Sequence, residues 1–159
     1  MRKKLLVLLL SLVLCVSLLP IGAMAAVNGS GILLVMVGDT QVTDKNASDV
    51  LGDGTVSYDS ASNTLKLNNA IVGTIVFEGN YSQATIEFTG NNKVDGSIVS
   101  WGDLTFRGSG ALDVINARES DMAAIASQDQ IIFESGTVNI SSGYGYSINT
   151  LFNVRVQGS

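Results

Sequence analysis

Ile98-Val99-Ser100-Trp101-Gly102-Asp103-Leu104-Thr105-Phe106-Arg107-Gly108 is the first of three segments that align without a gap. The second is Ile125-Ala126-Ser127-Gln128-Asp129-Gln130-Ile131-Ile132-Phe133-Glu134-Ser135. The third is Ile148-Asn149-Thr150-Leu151-Phe152-Asn153-Val154-Arg155-Val156-Gln157-Gly158. In each, an Ile is followed six residues later by Leu, Ile or Val, and two later again by Phe, Phe or Val. The first two continue into a further apolar pair, Leu112 with Val114 and Val138 with Ile140. An earlier, looser copy runs from Ile75 to Ile86 and Phe88, with Gly79 to Gln83 inserted; Ile86, Leu104, Ile131 and Val154 are then 18, 27 and 23 residues apart.

A unit of this size, built of three short alternating strands separated by Gly, Asn, Ser and Asp turns, matches one coil of a parallel β-solenoid. A single coil cannot bury its inward face, whereas coils stacked about 4.8 Å apart share a continuous core. Equivalent residues then fall into ladders. Ile75, Ile98, Ile125 and Ile148 form an aliphatic one. Phe88, Phe106 and Phe133, ending at Val156, form an aromatic one. The outward residues beside them, Glu87, Thr105, Ile132 and Arg155, are unlike one another. A sandwich of hairpins would also alternate, but it gives no reason for a six-residue offset kept three times. The fold expected is all-β, a β-solenoid of about four coils.

The chain before the repeats reads as hairpins. Ile32 to Val37 is an apolar run, and the turn Gly38-Asp39 leads into Gln41-Val42-Thr43. Thr55 to Tyr58 and Thr64 to Leu67 flank a polar tip, Asp59 to Asn63, as a second hairpin. Between them Asp44 to Leu51 is expected to form one helical turn, with Asp44 or Asn46 as N-cap and Gly52 beyond its end.

These stretches carry a resemblance. Val35-Met36-Val37-Gly38-Asp39-Thr40-Gln41-Val42-Thr43, then Asp49 to Asp59 and Asn63-Thr64-Leu65-Lys66-Leu67-Asn68-Asn69-Ala70, resemble the N-terminal module of large secreted bacterial right-handed β-helix proteins. Gly102 to Gly110 and Ser135-Gly136-Thr137-Val138 are similar to the coils that follow it there. The resemblance covers nearly all of the chain after the leader. It implies a right-handed parallel β-helix whose two hairpins cap its N-terminal end, in a family mostly uncharacterised or loosely described as carbohydrate-binding. The organisation expected is a signal peptide over 1–25, a cap over 26–72 and coils over 73–159. Gly158-Ser159 aligns with Gly108-Ser109, part-way round a coil, so further coils or domains of a longer chain are expected as partners.

The leader rests on its own residues. Arg2-Lys3-Lys4 precedes an apolar run from Leu5 to Leu19, Pro20 and Gly22 end it, and Ala23-Met24-Ala25 offers the small-x-small pattern of a cleavage site. Secretion to the exterior or the cell surface is therefore expected, with no membrane span after cleavage. An uncleaved anchor is the alternative, since Leu5 to Ala26 is just long enough to span a bilayer.

From Ala26 onward six basic face fourteen acidic side chains, a net charge of −8, with no His and no Cys. That composition excludes Ser-His-Asp and Cys-His catalysis, disulfides and His/Cys metal sites. With no basic run, nucleic acid is not an expected partner. No phosphate-cradling glycine loop is present, and no cofactor is expected.

Asp44-Lys45-Asn46-Ala47-Ser48 begins like a calcium loop, but Asp49 stands where that loop needs Gly and Thr55 where it needs Glu, so a capped turn is expected and no metal site. Asp103 and Asp129 read as corresponding positions one coil apart, a possible acid/base or cation pair; turn chemistry explains them better. No strand carries two acidic residues on one face, and Arg107 and Arg155 are the only outward strand cations of the aligned coils. The expectation is a non-enzyme. Trp101, Tyr81, Tyr144 and Tyr146 fall in turns, where flat aromatic faces stack on sugar rings while neighbouring Asn, Asp and Ser bond hydroxyls. They are the candidate ligand-binding residues, with Gly143-Tyr144-Gly145-Tyr146 foremost. The function expected is a carbohydrate-binding or adhesive scaffold for polysaccharide or cell-surface glycan. A polysaccharide lyase or hydrolase with its catalytic coils beyond Ser159, and a structural stalk, are the alternatives.

Overall fold

A computed structural model describes residues 32–80, 82–117 and 122–157. The leader and Tyr81 lie outside them. The described residues hold strands and turns and no helix.

Chain order gives β1 (Ile32–Val37), β2 (Thr40–Gln41), β3 (Val56–Asp59), β4 (Thr64–Asn68), β5 (Ile71–Val72), β6 (Ile75–Gly79), β7 (Ala84–Thr89) and β8 (Asn91–Asp95). Then come β9 (Ile98–Ser100), β10 (Leu104–Gly108), β11 (Ala111–Asn116), β12 (Ile125–Ser127), β13 (Ile131–Phe133), β14 (Thr137–Ser142), β15 (Ile148–Thr150) and β16 (Val154–Val156). They form three sheets. Sheet A runs β15-β12-β9-β6-β1-β2, sheet B runs β16-β13-β10-β7-β4-β3, and sheet C runs β14-β11-β8-β5. Each circuit places one strand in B, the next in C and the third in A. All pairings between circuits are parallel, so the chain winds as a β-solenoid of about four coils.

Both hairpins form at the N-terminal end. β1 pairs antiparallel with β2 across Gly38-Asp39, where Gly38 supplies the positive φ of 58° that the turn needs. β1 also pairs antiparallel with β6, and β3 with β4. β4 serves twice, because its other edge pairs parallel with β7. The expected helical turn between the hairpins is present as a single turn, closed by Ala47 N donating to Thr43 O at 2.9 Å. It begins at Thr43 rather than at Asp44 or Asn46, and side chains keep it from extending. Asn46 Oδ1 accepts from Thr43 N at 2.6 Å and from Thr43 Oγ1 at 2.9 Å, while its Nδ2 donates to Gln41 O. Asp49 Oδ1 accepts from Gly52 N and Gly54 N. Asn and Asp side chains that bond nearby backbone in this way compete with helix formation.

The aliphatic ladder is in the expected register: Ile75 pairs with Ile98, Ile98 with Ile125 and Ile125 with Ile148. The first three are fully buried. In sheet C, Leu112 pairs with Val138 and Val114 with Ile140. Each fully buried Ile or Leu contributes about 1.5–3 kcal/mol of transfer free energy.

The aromatic ladder differs from the expectation. Leu104 pairs with Ala84, not Ile86, and Phe106 pairs with Ile86, not Phe88. The ladder is Ile86–Phe106–Phe133–Val156, in which the Phe106 and Phe133 rings stack at 5.1 Å and 15°. Phe88 moves on two residues, to a rung where its partner is Gly108. The insertion at 79–83 is absorbed in the corner before β7, and side-chain volume decides the rest. The bulky Phe88 stands opposite a residue with no side chain. The outward ladder shifts with it, to Thr85–Thr105–Ile132–Arg155. Glu87 therefore faces Arg107 and pairs with it at 2.9 Å.

Candidate functional site

The candidate residues sit where the coil changes sheet, so the corners decide what they can do. The corner from sheet A to sheet B takes three residues in each of the last three circuits: 101–103, 128–130 and 151–153. Ser100, Ser127 and Thr150 precede it and share one ladder position. Ser100 Oγ accepts from Gly102 N at 3.3 Å. Ser127 Oγ accepts from Asp129 N at 3.0 Å and donates to Gly102 O, one coil back, at 2.8 Å. Thr150 Oγ1 repeats the arrangement, accepting from Phe152 N and donating to Asp129 O. Each hydroxyl thus shapes its own turn, and the later two also tie that turn to the coil before. Backbone bonds reinforce the stack, from Trp101 N to Phe77 O at 3.0 Å and from Gln128 N to Ser100 O at 3.1 Å.

This stacking sets Trp101, Gln128 and Leu151 at equivalent positions in consecutive coils. Trp101 is 41% exposed and Leu151 73%, with Gln128 exposed between them. The neighbouring Phe152 is 69% exposed. Behind them Asp103 accepts from Gln130 Nε2 at 3.1 Å and from Gln130 N at 3.3 Å. Asp103 therefore corresponds to Gln130, and Asp129 to Gly102. The expected carboxylate pair does not form, because the register of Leu104 with Ile131 places an amide, not a second acid, across from Asp103.

Tyr144 and Tyr146 share a different corner, between sheets C and A, and are 54% and 70% exposed. Gly145 takes φ +74° between them. Ser142 Oγ donates to Tyr144 O, Gly143 N to Asn116 O and Ala124 N to Tyr146 O. The structure therefore brings the two tyrosines together and sets Trp101 at the opposite end of the sheet A strands. Tyr81 lies outside the described residues. At the loop that begins like a calcium site, Asn46 and Asp49 spend their side-chain oxygens on turn N–H groups. Among the described residues no group of three or more His, Cys, Asp or Glu side chains is placed to hold a metal ion.

Sequence reasoning passed over Gln128, Leu151, Phe152 and the hydroxyl ladder beneath them. The signal was present, since the second residue after the repeated Ile is Ser, Ser or Thr in all three aligned segments.

The fold defines the chain as a β-solenoid of about four coils with exposed aromatic side chains at its corners. A family model described as carbohydrate-binding domain-containing protein matches residues 55–159, and the chain belongs to that family. No curated protein and no solved structure matches it.

Proposed function

We propose that this protein is a non-enzymatic carbohydrate-binding scaffold working outside the cell, where it holds polysaccharide or cell-surface glycan, in binding or adhesion. The observation that carries this reading is the family match, which spans the coils and the corners that bear Trp101, Tyr144 and Tyr146. The leader Arg2 to Ala25 supports the exterior address. Three features support a binding role over a catalytic one. Arg107, an outward cation of the coils, is engaged by Glu87. Asp103 is engaged by Gln130. The exposed aromatics stand on corners fixed by backbone hydrogen bonds, which suits a preformed contact surface.

Affinity electrophoresis of the purified protein through gels containing neutral and acidic polysaccharides tests this. Retardation by at least one glycan, with no release of reducing or unsaturated ends, is the expected result. Mobility unchanged in every gel overturns the binding role, and chain-end release overturns the non-enzymatic one.

A further inference from the structure

We propose that the corner between sheets A and B, with Trp101 as its anchor, binds an extended uncharged glycan that lies along the solenoid axis. This deepens the carbohydrate-binding reading and rests on it.

Corner length comes first. The A-to-B corner takes three residues in three consecutive circuits, so Trp101, Gln128 and Leu151 stand in register, about 4.8 Å apart per coil. The C-to-A corner takes two residues after β8, eight after β11 and five after β14. Tyr144 and Tyr146 therefore stand on a corner whose length changes from coil to coil. Among the described residues the A-to-B corner keeps one length through three circuits, and a repeating polymer is best met by a repeating surface.

The chemistry of the strip is that of sugar recognition. A pyranose has apolar ring faces and a rim of hydroxyls. Trp101 supplies a flat face, Leu151 and Phe152 supply apolar area, and the Gln128 amide both donates and accepts hydrogen bonds. The hydroxyls of Ser127 and Thr150 hold the turns beneath, so little order is lost on binding.

Charge selects the ligand class. Asp103 and Asp129 are the charged residues of the three aligned corners, which hold no Lys or Arg. Arg107 and Arg155 stand on the strands of sheet B, and Arg107 is paired with Glu87. A uronate or sulfated chain along this strip would meet carboxylates with no cation to offset them, and the net charge of −8 after the leader adds to the repulsion.

Trp101 is the chain's single tryptophan, so its emission reports on this corner alone. Titration with a soluble neutral β-glucan, a glucomannan and an arabinoxylan, and with polygalacturonate and alginate, is the test. A shift in tryptophan emission with a neutral glycan is expected. By affinity electrophoresis, which needs no tryptophan, Trp101→Ala lowers that affinity about tenfold or more, as loss of a stacked ring implies, and Gln128→Ala weakens it less. The control Ile71→Ala, an exposed side chain on β5 of sheet C, stays within about twofold, the change expected for a residue outside the contact. Thermal unfolding of each variant separates binding loss from misfolding. Three results overturn the proposal. A neutral glycan bound with emission and Trp101→Ala affinity unchanged moves the site elsewhere and leaves the carbohydrate-binding role standing. Binding of the acidic polymers alone removes the uncharged class. Retention of no glycan removes this site and the broader role together.

Discussion

Gly108 stands directly across the parallel ladder from Phe88, and the Phe88 ring fills the space a side chain at Gly108 would occupy. A Cβ at Gly108 would lie 2.1 Å from the Phe88 carbonyl oxygen and 2.7 Å from the ring carbon Cδ2. One coil further on, a Cβ at Gly136 would lie 2.7 Å from Cε2 and Cζ of the same ring. One aromatic ring therefore covers two rungs, and both coils must leave room for it. Phe88 is completely buried in that position.

Gly108→Ala is expected to lower stability by about 3 kcal/mol or more, because the methyl meets a backbone carbonyl that must move. Phe88→Ala costs about 3–5 kcal/mol by opening a cavity. The double variant is expected to keep the full Gly108→Ala loss, because removing the ring leaves the Phe88 carbonyl oxygen where the new methyl must go. Urea unfolding of the four proteins gives the coupling energy. A double variant far more stable than the sum would mean that the ring, and not the carbonyl, excludes a side chain at Gly108.

Position along the ladder should grade the cost of truncation. Ile125 is fully buried with Ile98 on one side and Ile148 on the other, whereas Ile148 is only partly buried. Ile125→Ala is expected to cost about 2–5 kcal/mol, and Ile148→Ala distinctly less. Denaturant midpoints of the two variants check the order, and equal losses would contradict the stacking of the core.

Ser127 is buried, with its hydroxyl between Asp129 N and Gly102 O. Ser127→Ala strands that donor and that acceptor, so a loss of about 1–3 kcal/mol is expected. Ser127→Thr should retain most of the stability, since Thr150 already performs the same task one coil later. Thermal unfolding of the pair distinguishes loss of the hydroxyl from a change of size.

Tyr58 is buried in the β3–β4 hairpin and donates to Asn63 Oδ1 at 3.1 Å. Burial, then the Asp59 charge, pushes its phenol up to about 12. The folded state thus holds this proton more tightly than the unfolded chain, whose tyrosine titrates near 10. The resulting stability is complete below about pH 10 and is lost as pH rises toward 12. Tyr58→Phe should flatten that alkaline decline. Asp53 and Asp59 behave oppositely. Hydrogen bonds from Thr55 hold Asp53, and bonds from Ser62 and Ala61 hold Asp59, below the ordinary carboxylate range. Their contribution is present above the unfolded value near 3.9 and fades as pH falls below it, so Asp53→Asn should soften the acid limb of the stability profile.

The coil was legible because its inward residues recur with their chemistry intact. Ile75, Ile98, Ile125 and Ile148 could be aligned by eye and are paired in that order. Phe88 misled because likeness of side chains suggested Phe beside Phe. Strand pairing instead follows corner length and available volume, and the insertion before β7 allowed Phe88 to sit against Gly108. Asp103 and Asp129 failed for another reason: the gapless alignment of their segments already sets Asp103 against Gln130, and the structure keeps that register and forms an acid–amide bond. The aromatic turn residues were recognisable as exposed, but their grouping was not. Trp101 and Tyr146 stand at opposite ends of one sheet's strands although the same turn composition surrounds both.

By itself the sequence determined the all-β solenoid, its two hairpins and the aliphatic ladder, because periodic burial is a local property repeated along the chain. The tertiary structure decided which side chain faces which across the rungs, and so which corner is a continuous strip and which is not. The physical reason lies in the corners. Insertions of one to several residues are accommodated there at little cost, so spacing along the chain does not fix which residue of the next strand meets which across a rung.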